Sequence, residues 1–216
     1  MPRPSRSDPE DELDAGLADA EVLDGVDALE DIPEDFDLWQ VLGYKPSLHA
    51  AAFHEATHRY RFLIWGIKSG KTLAGAHEFL EMVIDRARHP RFPGRKVLAW
   101  VVAPTYIQLE TCEVELDGIF AACQEAGYPI LKVKKERAHK YILVDGTTIH
   151  CRTAEVPEYL RGPNVDIVWC DEAAYVRIAS WNQVKQRIAA RKGDVIITTT
   201  PRGRNWIWNE CVSGGM

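Results

Sequence analysis

The sequence predicts an α/β fold of the P-loop NTPase class: a mostly parallel sheet with helices on both faces and an antiparallel hairpin addition. Three segments carry that expectation. Residues 61–65, Arg-Phe-Leu-Ile-Trp, read as a short buried strand that runs into a glycine-containing loop and then a helix. Residues 165–172, Val-Asp-Ile-Val-Trp-Cys-Asp-Glu, read as an apolar strand ending in two carboxylates. Residues 194–200, Asp-Val-Ile-Ile-Thr-Thr-Thr, read as a second buried strand ending in hydroxyls, before the Pro201-Arg202-Gly203 turn. Near-continuous apolar runs of this kind belong to strands covered on both faces. Alternation of such strands with helices argues for a parallel sheet.

The elements follow in order. A helix is expected over 47–57, leading into the strand at 61–65. Leu73, Ala76, Leu80, Val83, Ile84 and Ala87 recur at three- and four-residue steps, which predicts a helix over 72–88, ending before Pro90. Residues 90–95 are expected as loop. The apolar run 97–103 suits the centre of the sheet. A helix over 106–126 is expected to stop at Gly127. Strands are expected over 130–133 and 139–151, with Asp145-Gly146 as a hairpin turn inside the second. A strand over 166–170 carries the carboxylates. A helix over 180–191 ends near Gly193, and the strand at 195–200 is expected to close the sheet. No internal repeat is present.

The loop between the first strand and its helix defines the chemistry. Gly66, Ile67, Lys68, Ser69, Gly70, Lys71 and Thr72 match the pattern G-x-x-x-x-G-K-[ST] except at its first position, where Trp65 stands for glycine. Strand, glycine loop and helix in that order make the setting such a loop needs. Backbone N–H groups of 67–72 are expected to point at a phosphate on the helix N-terminus. Lys71 is expected to reach the β- and γ-phosphates, and the Thr72 hydroxyl to ligate Mg²⁺. Gly66, one step late, is the candidate for the work of the missing glycine.

The acidic strand end is the second element of the chemistry. Asp171 is expected to hold Mg²⁺ through water, and Glu172 to polarise the attacking water as general base. In open α/β sheets the ligand lies outside the carboxyl ends of the strands. Thr199 or Thr200 is therefore placed to hydrogen-bond the terminal phosphate or the attacking water, although threonine also simply favours strands.

These segments resemble the ATPase domain of the large terminase subunit of tailed bacteriophages, the motor that packs DNA into a capsid. The resemblance runs from about Tyr44 to Trp208. It rests on Lys45-Pro-Ser with Phe53-His54, the loop at 66–72, Val102-Ala-Pro-Thr-Tyr106, Glu158-Tyr-Leu-Arg-Gly162, Trp169-Cys-Asp-Glu-Ala173 and Thr199-Thr-Pro-Arg-Gly-Arg-Asn-Trp206. It implies hydrolysis of ATP with Mg²⁺, with Glu172, Lys71, Arg161 and Thr200 as catalytic residues and Thr72 and Asp171 at the metal. It implies double-stranded DNA bound through its backbone, a homo-oligomeric ring on a portal, a small terminase subunit as partner, and the host cell cytoplasm as location. The family reads adenine with a glutamine ahead of its Phe-His pair; Ala50, beside His49, stands there in this chain. Lys68 keeps the positive charge the family often places in the loop. It either touches the γ-phosphate or is solvated. Arg161 is expected to stabilise the transferred phosphoryl, supplied by a neighbouring subunit, with Arg152 as the fallback; a plain loop ion pair with Glu155 or Glu158 is the alternative. Terminases of this family continue into a metal-dependent nuclease, and the acidic clusters such a domain needs are not found here, so DNA cutting is not expected of this polypeptide. A helicase-like or remodelling ATPase, and a nucleotide-dependent assembly module with little turnover of its own, are the competing classes.

Charge divides the chain. Residues 1–37 hold fourteen Asp or Glu and two Arg, a net −12, with Phe36 as their first aromatic residue. A segment of that kind buries too little apolar surface to offset the entropy of ordering, so a disordered acidic tail is expected. Leu13, Leu17, Ala20, Leu23 and Val26 fall near helical spacing, which leaves open a helix formed on a partner. Residues 38–216, the expected ATPase domain, carry 24 basic against 18 acidic groups. Lys132, Lys134, Lys135, Arg137 and Lys140, with Arg202 and Arg204, either track a phosphate backbone or form a solvated face. The five cysteines are odd in number and lack metal-ligand spacing, and so read as reduced thiols. His54 and His58 lack a third ligand for zinc. No apolar run reaches membrane-spanning length.

Overall fold

The computed structural model describes residues 32, 33, 35–88 and 96–212. The expectations for the tail at 1–31 and for the loop at 90–95 lie outside these residues. Seven strands form one sheet in the order β1-β7-β6-β2-β5-β4-β3: β1 Tyr60–Ile64, β2 Leu98–Ala103, β3 Leu131–Lys135, β4 Lys140–Leu143, β5 Thr148–Thr153, β6 Ile167–Asp171 and β7 Asp194–Thr199. Among the described residues five α-helices accompany them: α1 Leu38–Leu42, α2 Leu48–His54, α3 Lys71–Arg88, α4 Tyr106–Glu125 and α5 Ile178–Ala189. The mostly parallel sheet with helices on both faces is as the sequence predicts.

Side-chain alternation on the central strands produces two cores. Ala99, Val101, Ile167, Trp169 and Ile196 face α3 and α4 and join Phe79, Leu80, Leu116 and Phe120. Trp100, Val102, Val168, Cys170, Val195 and Ile197 face α5 and pack with Trp181, Val184 and Ile188. β2 lies fourth of the seven strands, the central place its apolar run predicts. Helix α3 is buried well beyond the stripe read from its spacing: Ala74, Phe79 and Met82 are interior as well, while Leu73 turns outward.

Two expectations need correction. β7 does not close the sheet; it lies between β1 and β6, parallel to both. Its residues after Asp194 are all buried, whereas most of β1 is only half-buried, so β1 takes the edge. The stretch 139–151 is also not wholly an antiparallel addition. It breaks at the Asp145-Gly146 turn, and β5 joins the parallel body beside β2, so that β4 alone runs against the other strands, pairing antiparallel with both β5 and β3. Helix α1 and the terminal turn Trp208–Val212 have no counterpart in the sequence reading, being shorter than two helical turns. The last part of the acidic segment is not free of the domain: Ile32 and Phe36 are buried, and Phe36 packs on Tyr128.

The entry to β1 is pinned by a buried polar group. Glu78 of α3 accepts from Arg61 of β1 and lies 2.6 Å from His54 Nδ1 of α2. Tyr44 Oη meets His54 Nε2 at 3.1 Å and the Tyr44 ring stacks on His77. This network ties the segment before β1 to α3 and so anchors the start of the strand. Glu78→Ala leaves the Arg61 charge partly buried without its closest carboxylate, at a cost of about 3 kcal/mol. The expected fall in Tm is roughly 6–12 °C, measured by thermal unfolding followed by circular dichroism.

Candidate functional site

The carboxyl ends of β1, β7, β6 and β2 lie side by side, and the loop at 66–70 rises from the first of them. The Trp65 N–H donates to Thr199 O at 3.0 Å, carrying the β1–β7 ladder to the base of the loop. Residues 66–70 are all exposed. Ser69 Oγ donates to Gly66 O at 2.8 Å and closes the turn. Its left-handed positions are Lys68, φ 59°, and Gly70, φ 81°. Gly66 is not among them, so the freedom expected of it is used instead at 68 and 70. Trp65 itself is half-buried against the core, with the His49 ring edge-on at 6.1 Å. Ala50, where the resemblance implies a base-reading glutamine, is buried in the core.

Helix α3 begins at Lys71, and its first turn meets the acidic end of β6. Lys71 Nζ lies 2.8 Å from Glu172 Oε1. Thr72 Oγ1 donates to Asp171 Oδ2 at 3.3 Å, across 99 residues of sequence. The loop and the acidic pair thus share one cleft. Consecutive residues of a strand point to opposite faces, yet both carboxylates reach the start of α3. Glu172 makes this possible by adopting φ 44°, ψ 40°, a left-handed conformation that turns its side chain back over the cleft. For a residue with a Cβ that conformation costs roughly 1–3 kcal/mol.

The end of β7 grips the acidic turn on both sides. Thr198 donates to Asp171 Oδ1, its neighbour across the parallel ladder. Thr200 donates to Glu172 twice, from its N–H to Oε2 at 3.3 Å and from its hydroxyl to Oε1 at 3.2 Å. Thr199, on the opposite face, accepts from the Ala174 N–H at 2.9 Å. Of the two candidates from sequence, Thr200 therefore stands beside Glu172, and Thr199 props the turn from behind. Thr198 was missed by the sequence reading.

Burial raises the Asp171 carboxyl above the ordinary carboxylate range, opposed by the Thr198 hydrogen bond, while the nearby Glu172 charge raises it further. A cation in the cleft would relieve that burial. Thr72 and Asp171 offer a hydroxyl and a carboxylate, hard oxygen donors of the kind Mg²⁺ takes together with phosphate oxygens and water. Among the described residues no group of three or more His, Cys, Asp or Glu could hold a metal by itself.

Arg161 is not brought to this cleft. It follows the short 3-10 turn Pro157–Leu160, its side chain is 67% exposed, and its ion pair is with Glu158 at 3.9 Å. Arg152 is engaged elsewhere as well, donating to Tyr159 O at 2.7 Å and lying 4.6 Å over the Trp100 ring. The basic strip of β3 and β4 lies at the far edge of the sheet from β1, and Lys134 there is paired with Asp117 and Glu136. Arg202 and Arg204 lie over the Tyr175 and Trp208 rings. Cys112, Cys123, Cys151 and Cys170 are free thiols, all buried. No helix among the described residues is long and apolar enough to cross a membrane. A separate cleft of about 580 Å³, lined by Trp39, Tyr44, His54, Arg61 and Glu78 among others, includes no residue of the loop or the acidic pair.

A glycine loop on a strand–helix junction, with an acidic strand two places away in a parallel sheet, defines a P-loop NTPase fold. The family model described as "Terminase large subunit, T4likevirus-type, N-terminal" matches residues 63–209. The chain belongs to that family. A large terminase subunit from Thermus phage G20c is 27% identical over 192 residues, which cover 82% of this chain and 38% of that protein. The chain therefore spans well under half the length of that relative. The ATPase domain of the large terminase of Thermus phage P74-26 superposes with a TM-score of 0.67 at 25% identity, covering 85% of this chain and 75% of that one. A large terminase of a thermophilic bacteriophage, solved in complex with ADP, matches with a TM-score of 0.56 at 15% identity over 82% of this chain and 41% of that one.

Proposed function

We propose that this domain hydrolyses ATP and that, as the ATPase part of a large terminase, it drives double-stranded viral DNA into a procapsid. The observation that carries the reading is the meeting of Lys71 with Glu172 and of Thr72 with Asp171 at one end of the sheet. Family membership and the fold shared with terminase ATPase domains support it.

The triphosphate lies along the loop, its oxygens accepting from backbone N–H groups of 67–72 at the positive end of α3. Lys71 exchanges its contact with Glu172 for the β- and γ-phosphate oxygens. Glu172, so released, accepts a proton from the water that attacks the terminal phosphorus, while the bond from that phosphorus to the bridging β-phosphate oxygen breaks and ADP leaves. The two Thr200 hydrogen bonds keep the Glu172 carboxylate over the cleft during that step. Thr72 and Asp171 would hold Mg²⁺, which would supply charge neutralisation at the phosphates. Lys68 adds positive charge from the rim of the loop. Arg161, exposed and outside the cleft, serves a neighbouring subunit of a ring, where an arginine that meets the transferred phosphoryl accelerates turnover by several powers of ten. Lys132, Lys135, Arg137 and Lys140 contact the DNA backbone without reading bases, as a translocating motor requires. The ring sits on a portal, receives DNA from a small terminase subunit, and works in the host cytoplasm.

Glu172→Gln is expected to bind ATP as the unaltered protein does, while steady-state phosphate release falls by about 10²–10⁴-fold. Normal turnover by that variant contradicts the assignment of the base. Lys71→Ala is expected to lose binding of a fluorescent ATP analogue; an unchanged titration contradicts the phosphate loop itself.

A further inference from the structure

Asp171 is aimed by a chain of donors that no sequence motif requires. Trp169 stands two residues earlier on β6, on the same face, and is fully buried. Its Nε1–H donates to Thr198 Oγ1 at 2.8 Å. An indole N–H can only donate, and a hydroxyl has one proton. Thr198, having accepted from Trp169, directs its own proton to Asp171 Oδ1. That oxygen is thereby engaged inside the protein. The other, Oδ2, faces the Thr72 hydroxyl at 3.3 Å and the Cys112 thiol at 3.6 Å. The phosphate-loop helix packs straight onto this chain because residue 75 is glycine. A Cβ at Gly75 would lie 2.8 Å from Trp169 Nε1 and 2.9 Å from Thr198 Cγ2. A buried strand needs only an apolar residue at 169, and leucine or valine would pack there without donating anything. The indole N–H meeting a hydroxyl that meets the carboxylate is what packing alone leaves unexplained.

We infer that Trp169 and Thr198 are positioning residues which hold the Asp171 carboxylate with Oδ2 turned to Thr72, and so set how tightly the cleft takes a divalent cation together with nucleotide. The inference rests on the ATPase reading above. Partners that orient a metal-binding carboxylate contribute about 10- to 100-fold in metal affinity.

The test is direct binding of Mn²⁺, followed by the electron paramagnetic resonance of the free ion, in the presence of a non-hydrolysable ATP analogue. Thr198→Val is expected to weaken Mn²⁺ binding about tenfold or more, Thr198→Ser to stay within about twofold of the unaltered protein, and Trp169→Phe to weaken it about threefold. Affinity for the analogue in EDTA is expected to be the same for all of them. Unaltered Mn²⁺ affinity in Thr198→Val overturns the inference, as does a Thr198→Ser variant as weak as the valine, since the hydroxyl would then not be the active group. If Thr198→Val does not fold, Trp169→Phe decides alone, and unchanged binding in that variant overturns the inference. Asp171→Asn separates the two levels. If the unaltered protein and Asp171→Asn bind Mn²⁺ equally, the ATPase reading fails; if they differ while Thr198→Val matches the unaltered protein, only this inference fails.

Discussion

The contact between the first turn of α3 and the acidic end of β6 is the constraint on which the site depends. Lys71 and Thr72 follow the loop directly; Asp171 and Glu172 lie about a hundred residues later. A parallel sheet delivers both to the same end, because parallel strands carry their carboxyl ends to one side. The strand between them, β7, converts that proximity into geometry. Its threonines alternate faces, so Thr198 and Thr200 meet one carboxylate each while Thr199 supports the backbone of the turn behind them. Displacing β7 by one residue would exchange these faces and release both acids at once.

The same region stores strain. Glu172 holds a left-handed backbone without being glycine, and Asp171 is a carboxylate kept away from water. Neither arrangement helps the fold. Both persist because the surroundings over-determine them, with hydrogen bonds from Thr198, Thr200, Thr72 and Cys112 around two side chains. Strain at a site of this kind is consistent with a centre shaped for a ligand. Stability is supplied elsewhere: by the two cores on either side of the sheet and by the His54–Glu78–Arg61 network that anchors the entry to β1.

What could be read in the sequence was local or motif-bound. The loop at 66–72 declares itself because strand, glycines, lysine and threonine are contiguous, and the acidic pair stands out at the end of an apolar run. The central position of β2 and the hairpin turn at Asp145-Gly146 are legible for the same reason. Pairing between distant strands is not. Nothing in residues 195–200 says that β7 slips between β1 and β6, although its uninterrupted burial, against the Tyr60 and Arg61 of β1, is the signal that separates an interior strand from an edge. Choosing among Thr198, Thr199 and Thr200 needs the register, and Trp169 reads as ordinary core until its indole N–H is seen to have a partner. Gly75 was detectable in principle. A glycine inside a helix costs up to about 1 kcal/mol against alanine and so asks for a packing reason. Arg161 marks the other limit: exposed and paired with Glu158, it meets no group of the cleft, and nothing within one chain assigns it a role.

The account is tested most directly by a crystal structure of the domain with a non-hydrolysable ATP analogue and Mg²⁺. It predicts a terminal phosphate between Lys71 Nζ and Glu172, the ion beside Thr72 and Asp171, and the Glu172 carboxylate freed from lysine and still held by Thr200. Nucleotide found elsewhere, for instance in the cleft lined by Tyr44 and His54, with Lys71 still bound to Glu172, would contradict it.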